Sequence, residues 1–187
     1  MKEFRNKVAV ATGAASGIGK AMAERFAAEG MRVVLADVEQ EALATAEREF
    51  RTRGSTVLAV RTDVSKAADV DQLAARTVEA FGTVHSKIKV SVLCPGFVNT
   101  RILESQRNRP AEMPLLPVSE SQMQYAEWMR ARVAAGLAPS EVGHQVFEAI
   151  RDERFYIVTD PDEWKPLIRE RMEDILGDRN PRLFGVS

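Results

Sequence analysis

Cysteine is all but missing from this 187-residue chain. Cys94 is the only one, which excludes an intrachain disulfide and a thiolate metal cluster. Histidine is nearly as scarce. His85 and His144 stand alone, with no metal-ligand spacing and no Ser–His–acid arrangement, so no metal is expected. No apolar run reaches transmembrane length, and none precedes the first apolar segment of MKEFRNKVAV. Neither a membrane partner nor a targeting segment is expected, and a reducing cytoplasm is the expected address. Charge of one sign is lacking too: 26 Lys and Arg against 27 Asp and Glu leave a net of -1, so no basic field invites nucleic acid. With 45% apolar residues, the chain can bury a core as a single domain over 1–187.

What is present is concentrated at Thr12–Gly19, reading Thr-Gly-Ala-Ala-Ser-Gly-Ile-Gly between an apolar run and an amphipathic one. Glycines at 13, 17 and 19 let a backbone turn tightly and approach a pyrophosphate without Cβ clashes. A helix starting near Gly17 points free N–H groups and its positive dipole end at that anion. The neighbouring pattern agrees. Val8–Ala11 reads as a buried strand, and Ile18, Met22 and Phe26 fall at helical spacing before Gly30. Val33–Ala36 is a second strand ending at Asp37. Glu39–Arg53 is a helix closed by Gly54, and Val57–Val60 is a third strand. Ser65 is expected to cap a helix with Val70, Leu73, Val78 and Phe81 on its inner face, ended by Gly82. Three strand–helix units in a row imply a doubly wound parallel α/β sheet of Rossmann type.

Ile88, Val90 and Val92 mark a further strand ending Leu93-Cys94-Pro95-Gly96. Residues 101–137 are irregular in pattern and rich in Pro and Met. A helix is expected from about Pro139, with Val142, Val146, Ala149 and Ile150 on one face, then a strand at Phe155–Val158. Asp160-Pro161-Asp162-Glu163 reads as an N-cap, a first-turn proline and a capping-box acid. Asp37 follows Gly19 by 18 residues, at a strand end where a carboxylate can accept both ribose hydroxyls of adenosine.

The chain resembles the short-chain dehydrogenase/reductase family. The likeness rests on Thr12–Gly19, on Asp37, on Asp63-Val64 after the third strand, and on Pro95-Gly96-Phe-Val-Asn-Thr100. It implies a cofactor site formed by Gly13, Ser16, Gly17, Ile18, Gly19, Asp37, Val38, Asp63, Val64, Pro95, Gly96, Val98 and Thr100. Within that site, Asp63 and Val64 would hold the adenine ring, and Val98 and Thr100 would lie near the nicotinamide carboxamide. Asp63 has a plainer reading as a helix cap. The Asp37 carboxylate repels a 2′-phosphate, and neither Ser16 nor Val38 is a basic residue, so NAD is expected over NADP. The implied activity is interconversion of an alcohol and a carbonyl on a small molecule that the sequence does not name.

The departure from the family is equally definite. Its fourth strand ending Asn-Asn-Ala-Gly, its serine-bearing fifth strand and its Tyr-x-x-x-Lys helix are missing, a gap of roughly 60–90 residues by the usual size of two strand–helix units. Tyr125 is followed four positions on by Met129, and Tyr156 by Asp160, so neither tyrosine has the lysine that would lower its pKa. The catalytic residues are therefore unassigned, and a non-catalytic NAD-binding module stands as the alternative. The seam falls at His85–Ser86. With the two units simply missing, Val8–Ala11 would expose a hydrophobic edge, so either the Ile88 strand moves over to pair with Val8–Ala11 in a five-stranded miniature, or the sequence joins two pieces of a longer chain. The 101–137 stretch occupies the family's substrate lid. The family's interface helix and strand correspond to 139–158, which implies a homodimer.

Overall fold

The computed structural model describes residues 3–82, 91–109, 113 and 118–180. Its centre is β2 (Arg32–Asp37), where Val33, Val34, Leu35 and Ala36 are all buried. Such a run suits a middle strand covered on both faces. β1 (Val8–Thr12) and β3 (Val57–Arg61) flank it in parallel, with Val8 opposite Arg32 and Val33 opposite Val57.

The crossovers place helices on both faces of this sheet. α1 (Gly17–Ala28) and α2 (Gln40–Thr52) close one core around Ala11, Val33, Leu35, Leu43 and Phe50. α3 (Ala67–Phe81) closes the other around Val34, Ala36, Val60 and Leu73. The expected inner face of α3 is corrected in part: Leu73 is buried, but Val70 and Val78 are exposed and Thr77 is buried in their place. Thr77 donates its hydroxyl to the Leu73 carbonyl at 2.7 Å, which satisfies it inside the helix. The cap is corrected as well. Lys66, not Ser65, stands at the N-cap of α3, because the Ser65 hydroxyl is committed to Asp63 Oδ1 at 2.7 Å.

β4 (Val92–Cys94) and β5 (Tyr156–Val158) form a second parallel pair, with Leu93 opposite Ile157. Among the described residues β1 pairs only with β2, and Val10 is 43% exposed. The five-stranded miniature is thus not formed by the described residues. Ile88 and Val90, like His85 and Ser86 of the seam, lie outside the described residues. β4 pairs with β5 because α5 (Pro139–Arg151) packs its Val142, Val146 and Ala149 against Val98 and Ile157.

Among the described residues, the two sheets are joined by helices rather than by a ladder. Ile18 and Met22 of α1 pack into the α5 core, and Gly143 lets the helices touch. A Cβ at Gly143 would stand 2.7 Å from the Ala21 carbonyl oxygen. The helix that opens with the glycine turn is therefore the element that fixes one sheet to the other.

The irregular reading of 101–137 is also corrected. Arg101–Asn108 is a 3-10 segment with a kink at Glu104, and α4 spans Glu120–Ala134. α4 starts with a capping box: Gln122 N–H donates to the Ser119 hydroxyl at 3.3 Å, and Ser119 N–H donates to Gln122 Oε1 at 2.8 Å. Apolar spacing missed this helix because its exposed face carries Met123, Tyr125 and Trp128. The box expected at Asp160 does not form. α6 (Pro161–Leu176) begins without a side-chain cap, and Glu163 instead meets Arg132 at 2.6 Å.

Candidate cofactor site

The glycine turn leaves β1 and enters α1 at the carboxyl end of the first sheet. Gly13 and Gly17 have φ of 63° and 58°, the left-handed region that glycine reaches without strain. Gly19 serves a different need. A Cβ there would stand 2.7 Å from the Thr12 carbonyl oxygen and run into Gly13, so only glycine lets α1 lie this close to β1. Ser16 is the extended N-cap of α1, and its side chain makes no cap bond. The hydroxyl is therefore not spent on the helix.

Asp37 ends β2 and is half-buried. Its Oδ2 accepts from Ala15 N–H at 2.9 Å, and its Oδ1 accepts from Glu39 N–H at 3.0 Å. With Ala14 N–H donating to the Ala36 carbonyl at 3.1 Å, the turn is tied to the tip of β2 at two points. The sequence pattern placed Asp37 beside the site, but its hold on the turn is a tertiary fact.

Val38 and Val64 are both exposed, the latter at 64%, after the ends of β2 and β3. Asp63 is committed locally. Its carboxylate accepts from the Ser65 hydroxyl and from Ser65 N–H at 3.1 Å, with Lys66 at 3.4 Å, and these bonds hold it below the usual carboxylate range. Its own N–H donates to Asp69 Oδ2 at 2.9 Å. The plainer reading as a helix cap is corrected: Lys66 stands at the N-cap of α3, and the Asp63 carboxylate instead closes the local turn on Ser65. No bond to the glycine turn is formed by its carboxylate.

The second sheet supplies the other wall. Gly96 N–H donates to the buried Thr159 hydroxyl at 3.0 Å, which fixes the Pro95–Gly96 corner to the end of β5. Val98 is buried and bridges to Leu137, while Asn99 N–H donates to the Leu137 carbonyl at 2.9 Å. These bonds deliver Thr100 to the glycine turn. Its Cγ2 would lie 3.3 Å from a Cβ built on Gly17. Two segments 83 positions apart thus meet at the glycine turn.

Sequence reasoning missed two features. Trp164 of α6 lies over Gly96, where a Cβ would collide with the indole, and it belongs to an aromatic group with Phe97 and Trp128. The 101–108 segment also crosses to α2, where Arg107 Nε reaches Glu39 Oε1 at 2.8 Å. The Arg107 and Asn108 side chains, which donate to it, hold the Glu39 carboxyl below its ordinary value. No local pattern reports this contact, because it spans 68 residues. Tyr125 stacks on Trp128 and Tyr156 abuts Phe155, and both tyrosines are exposed. Neither lies beside a lysine in the sequence. His144 is exposed on α5 and takes no part in the groove.

Comparison with known proteins agrees with this geometry. The family model described as short chain dehydrogenase matches residues 7–86. The crystal structure of a short chain dehydrogenase/reductase from Burkholderia phymatum in complex with NAD superposes with a TM-score of 0.91, at 29% identity and over 100% of both chains. A CLA biosynthesis dehydrogenase/reductase of Lactiplantibacillus plantarum is 24% identical over an alignment of 278 residues that covers 97% of each chain. The dehydrogenase LinX of Sphingobium indicum, which acts on 2,5-dichloro-2,5-cyclohexadiene-1,4-diol, is 46% identical over 76 residues, 41% of this chain and 30% of its own. With LinX and several other curated relatives, the matched part spans about a third of their length. The turn, the parallel Rossmann sheet and these likenesses together place the chain in the short-chain dehydrogenase/reductase family.

Proposed function

We propose that this chain is the cofactor-binding frame of an oxidoreductase that takes NAD in preference to NADP and interconverts an alcohol and a carbonyl. The observation that carries this reading is the meeting of Thr100 with Gly17 above a turn pinned by Asp37. Free N–H groups at the start of α1 would receive the pyrophosphate, and the Asp37 carboxylate would receive the ribose hydroxyls. Val38 and Val64 would flank the adenine. Val98 and Thr100 would border the nicotinamide, which when bound supplies hydride chemistry. A carboxylate at 37, with Ser16 and Val38 beside it, disfavours a 2′-phosphate by like-charge repulsion and supports NAD.

A second reading, a non-catalytic NAD-binding module, is supported by one observation. Tyr125 and Tyr156 are exposed on aromatic neighbours, and neither is followed by lysine at the fourth position. A fluorescence titration with NADH tests what both readings share. Saturable binding in the wild type, lost in Gly17→Val with unchanged circular dichroism, is the expected result. The branched side chain would strain a residue at φ 58° and push on Thr100. Retained affinity in a folded Gly17→Val protein would remove the assigned site.

A further inference from the structure

The 101–108 segment carries a guanidinium to the N-cap of α2, two residues beyond Asp37. Arg107 Nε donates to Glu39 Oε1 at 2.8 Å, and Asn108 Nδ2 donates to the same oxygen at 3.2 Å. Arg107 Nη1 also donates to the Arg101 carbonyl at 3.0 Å, so the cation is held from both sides. The pair sits at the surface with its side chains partly covered, 26% exposed for Arg107 and 23% for Glu39. Glu39 in turn donates its N–H to Asp37 Oδ1 at 3.0 Å. The acid that neutralises Arg107 therefore stands in the same tight turn as the carboxylate read as the ribose ligand.

We infer that Glu39 and Arg107 form a second determinant of cofactor choice, in which Glu39 withholds from a nucleotide 2′-phosphate a guanidinium that would otherwise bind it. The inference rests on Asp37 marking the ribose position. Arginine presents a planar fork of donors that fits phosphate oxygens, and such charge-assisted bonds are stronger than neutral ones. In the wild type that fork is spent on Glu39. Asp37 repels a 2′-phosphate directly, and Glu39 reinforces it by occupying a cation held at the adjoining turn. Glu39→Gln removes the charge and keeps the shape, leaving Arg107 free to exchange its partner.

The test measures affinities for NAD, NADP, 5′-AMP and adenosine 2′,5′-bisphosphate in the wild type, Glu39→Gln, and Glu39→Gln with Arg107→Ala. In Glu39→Gln, NADP and the bisphosphate should bind about tenfold more tightly, with NAD and 5′-AMP within about twofold. Adding Arg107→Ala should abolish the gain. A Glu39→Gln protein that binds NAD normally and gains nothing for NADP overturns the inference while leaving the site reading intact. A gain that survives Arg107→Ala also overturns it, because loss of repulsion alone would then explain the change. Failure of the wild type to bind NAD or 5′-AMP removes the site reading, and the inference with it.

Discussion

Asp37 Oδ2 accepts the Ala15 N–H at 2.9 Å, so the last residue of β2 holds the glycine turn that leaves β1. The same carboxylate takes the Glu39 N–H through its other oxygen. One side chain thereby shapes both the glycine turn and the turn into α2. Asp37→Ala would leave two backbone donors to find water or remain unpaired, a loss of about 1–2 kcal/mol. Lowered Tm, weaker NAD binding and a narrowed difference between NAD and NADP are expected together. Thermal melts with and without each dinucleotide check all three, and an unchanged NAD affinity would separate the turn from the site.

Gly143 is the point where α5 touches α1. Gly143→Ala would place a methyl 2.7 Å from the Ala21 carbonyl oxygen and force the helices apart. Overpacking of this kind costs about 1–3 kcal/mol. Because α1 begins with the phosphate turn, NAD affinity should fall along with the melting temperature, although Gly143 is remote from the groove. A variant that loses stability but keeps full affinity would show that the second sheet can shift without disturbing Thr100.

Glu39 has its folded pKa lowered from the ordinary 4.5, first by the bond from Arg107 and then by Asn108. A lowered folded pKa contributes stability above 4.5 that is lost as pH falls through the lower folded value. The 101–108 segment should therefore open between about pH 4.5 and the acid limit, and stay closed from there to neutrality. Hydrogen-exchange protection of Arg101–Asn108, followed from pH 7 down to the acid limit, reads this directly. Arg107→Ala should exchange fast throughout, and wild-type protection that never falls on acidification would contradict the role of the pair.

Dehydrogenase turnover by these 187 residues should stay at background across a panel of secondary alcohols with NAD. A tuned proton-transfer residue contributes about 10²–10⁴-fold, and the chain has no tyrosine followed by lysine at the fourth position. A robust rate lost on mutating Tyr125 or Tyr156 would reassign that tyrosine as the acid.

We propose a homodimer through α5 and β5. Phe155 and Tyr156 form an exposed edge-to-face pair at the start of β5, with ring centroids 4.7 Å apart. Light scattering at micromolar concentration should give a dimer, and Phe155→Glu with Tyr156→Glu should give a monomer. A monomeric wild type would end this proposal.

Much was legible in the sequence because it is local. Gly13, Gly17 and Gly19 announce a turn that no side chain would permit, and the apolar run Val33–Ala36 announces a strand buried on both faces. Strand, turn and helix in that order determine a phosphate-binding corner, since each is dictated by residues within a few positions. α4 was hidden because its apolar side chains stay exposed, so spacing carried no signal of a buried face. At Asp160 the N-cap position and the first-turn proline were legible, but the capping box did not form, since Glu163 found Arg132 31 residues away. Tertiary structure alone decided the rest. It set β4 beside β5 rather than beside β1, and brought Arg107 to Glu39. Those outcomes depend on how α1 packs on α5 and on where a segment lands after crossing the groove. Contacts between residues 30 to 80 positions apart are fixed by the packing of whole elements, which no short stretch of sequence encodes.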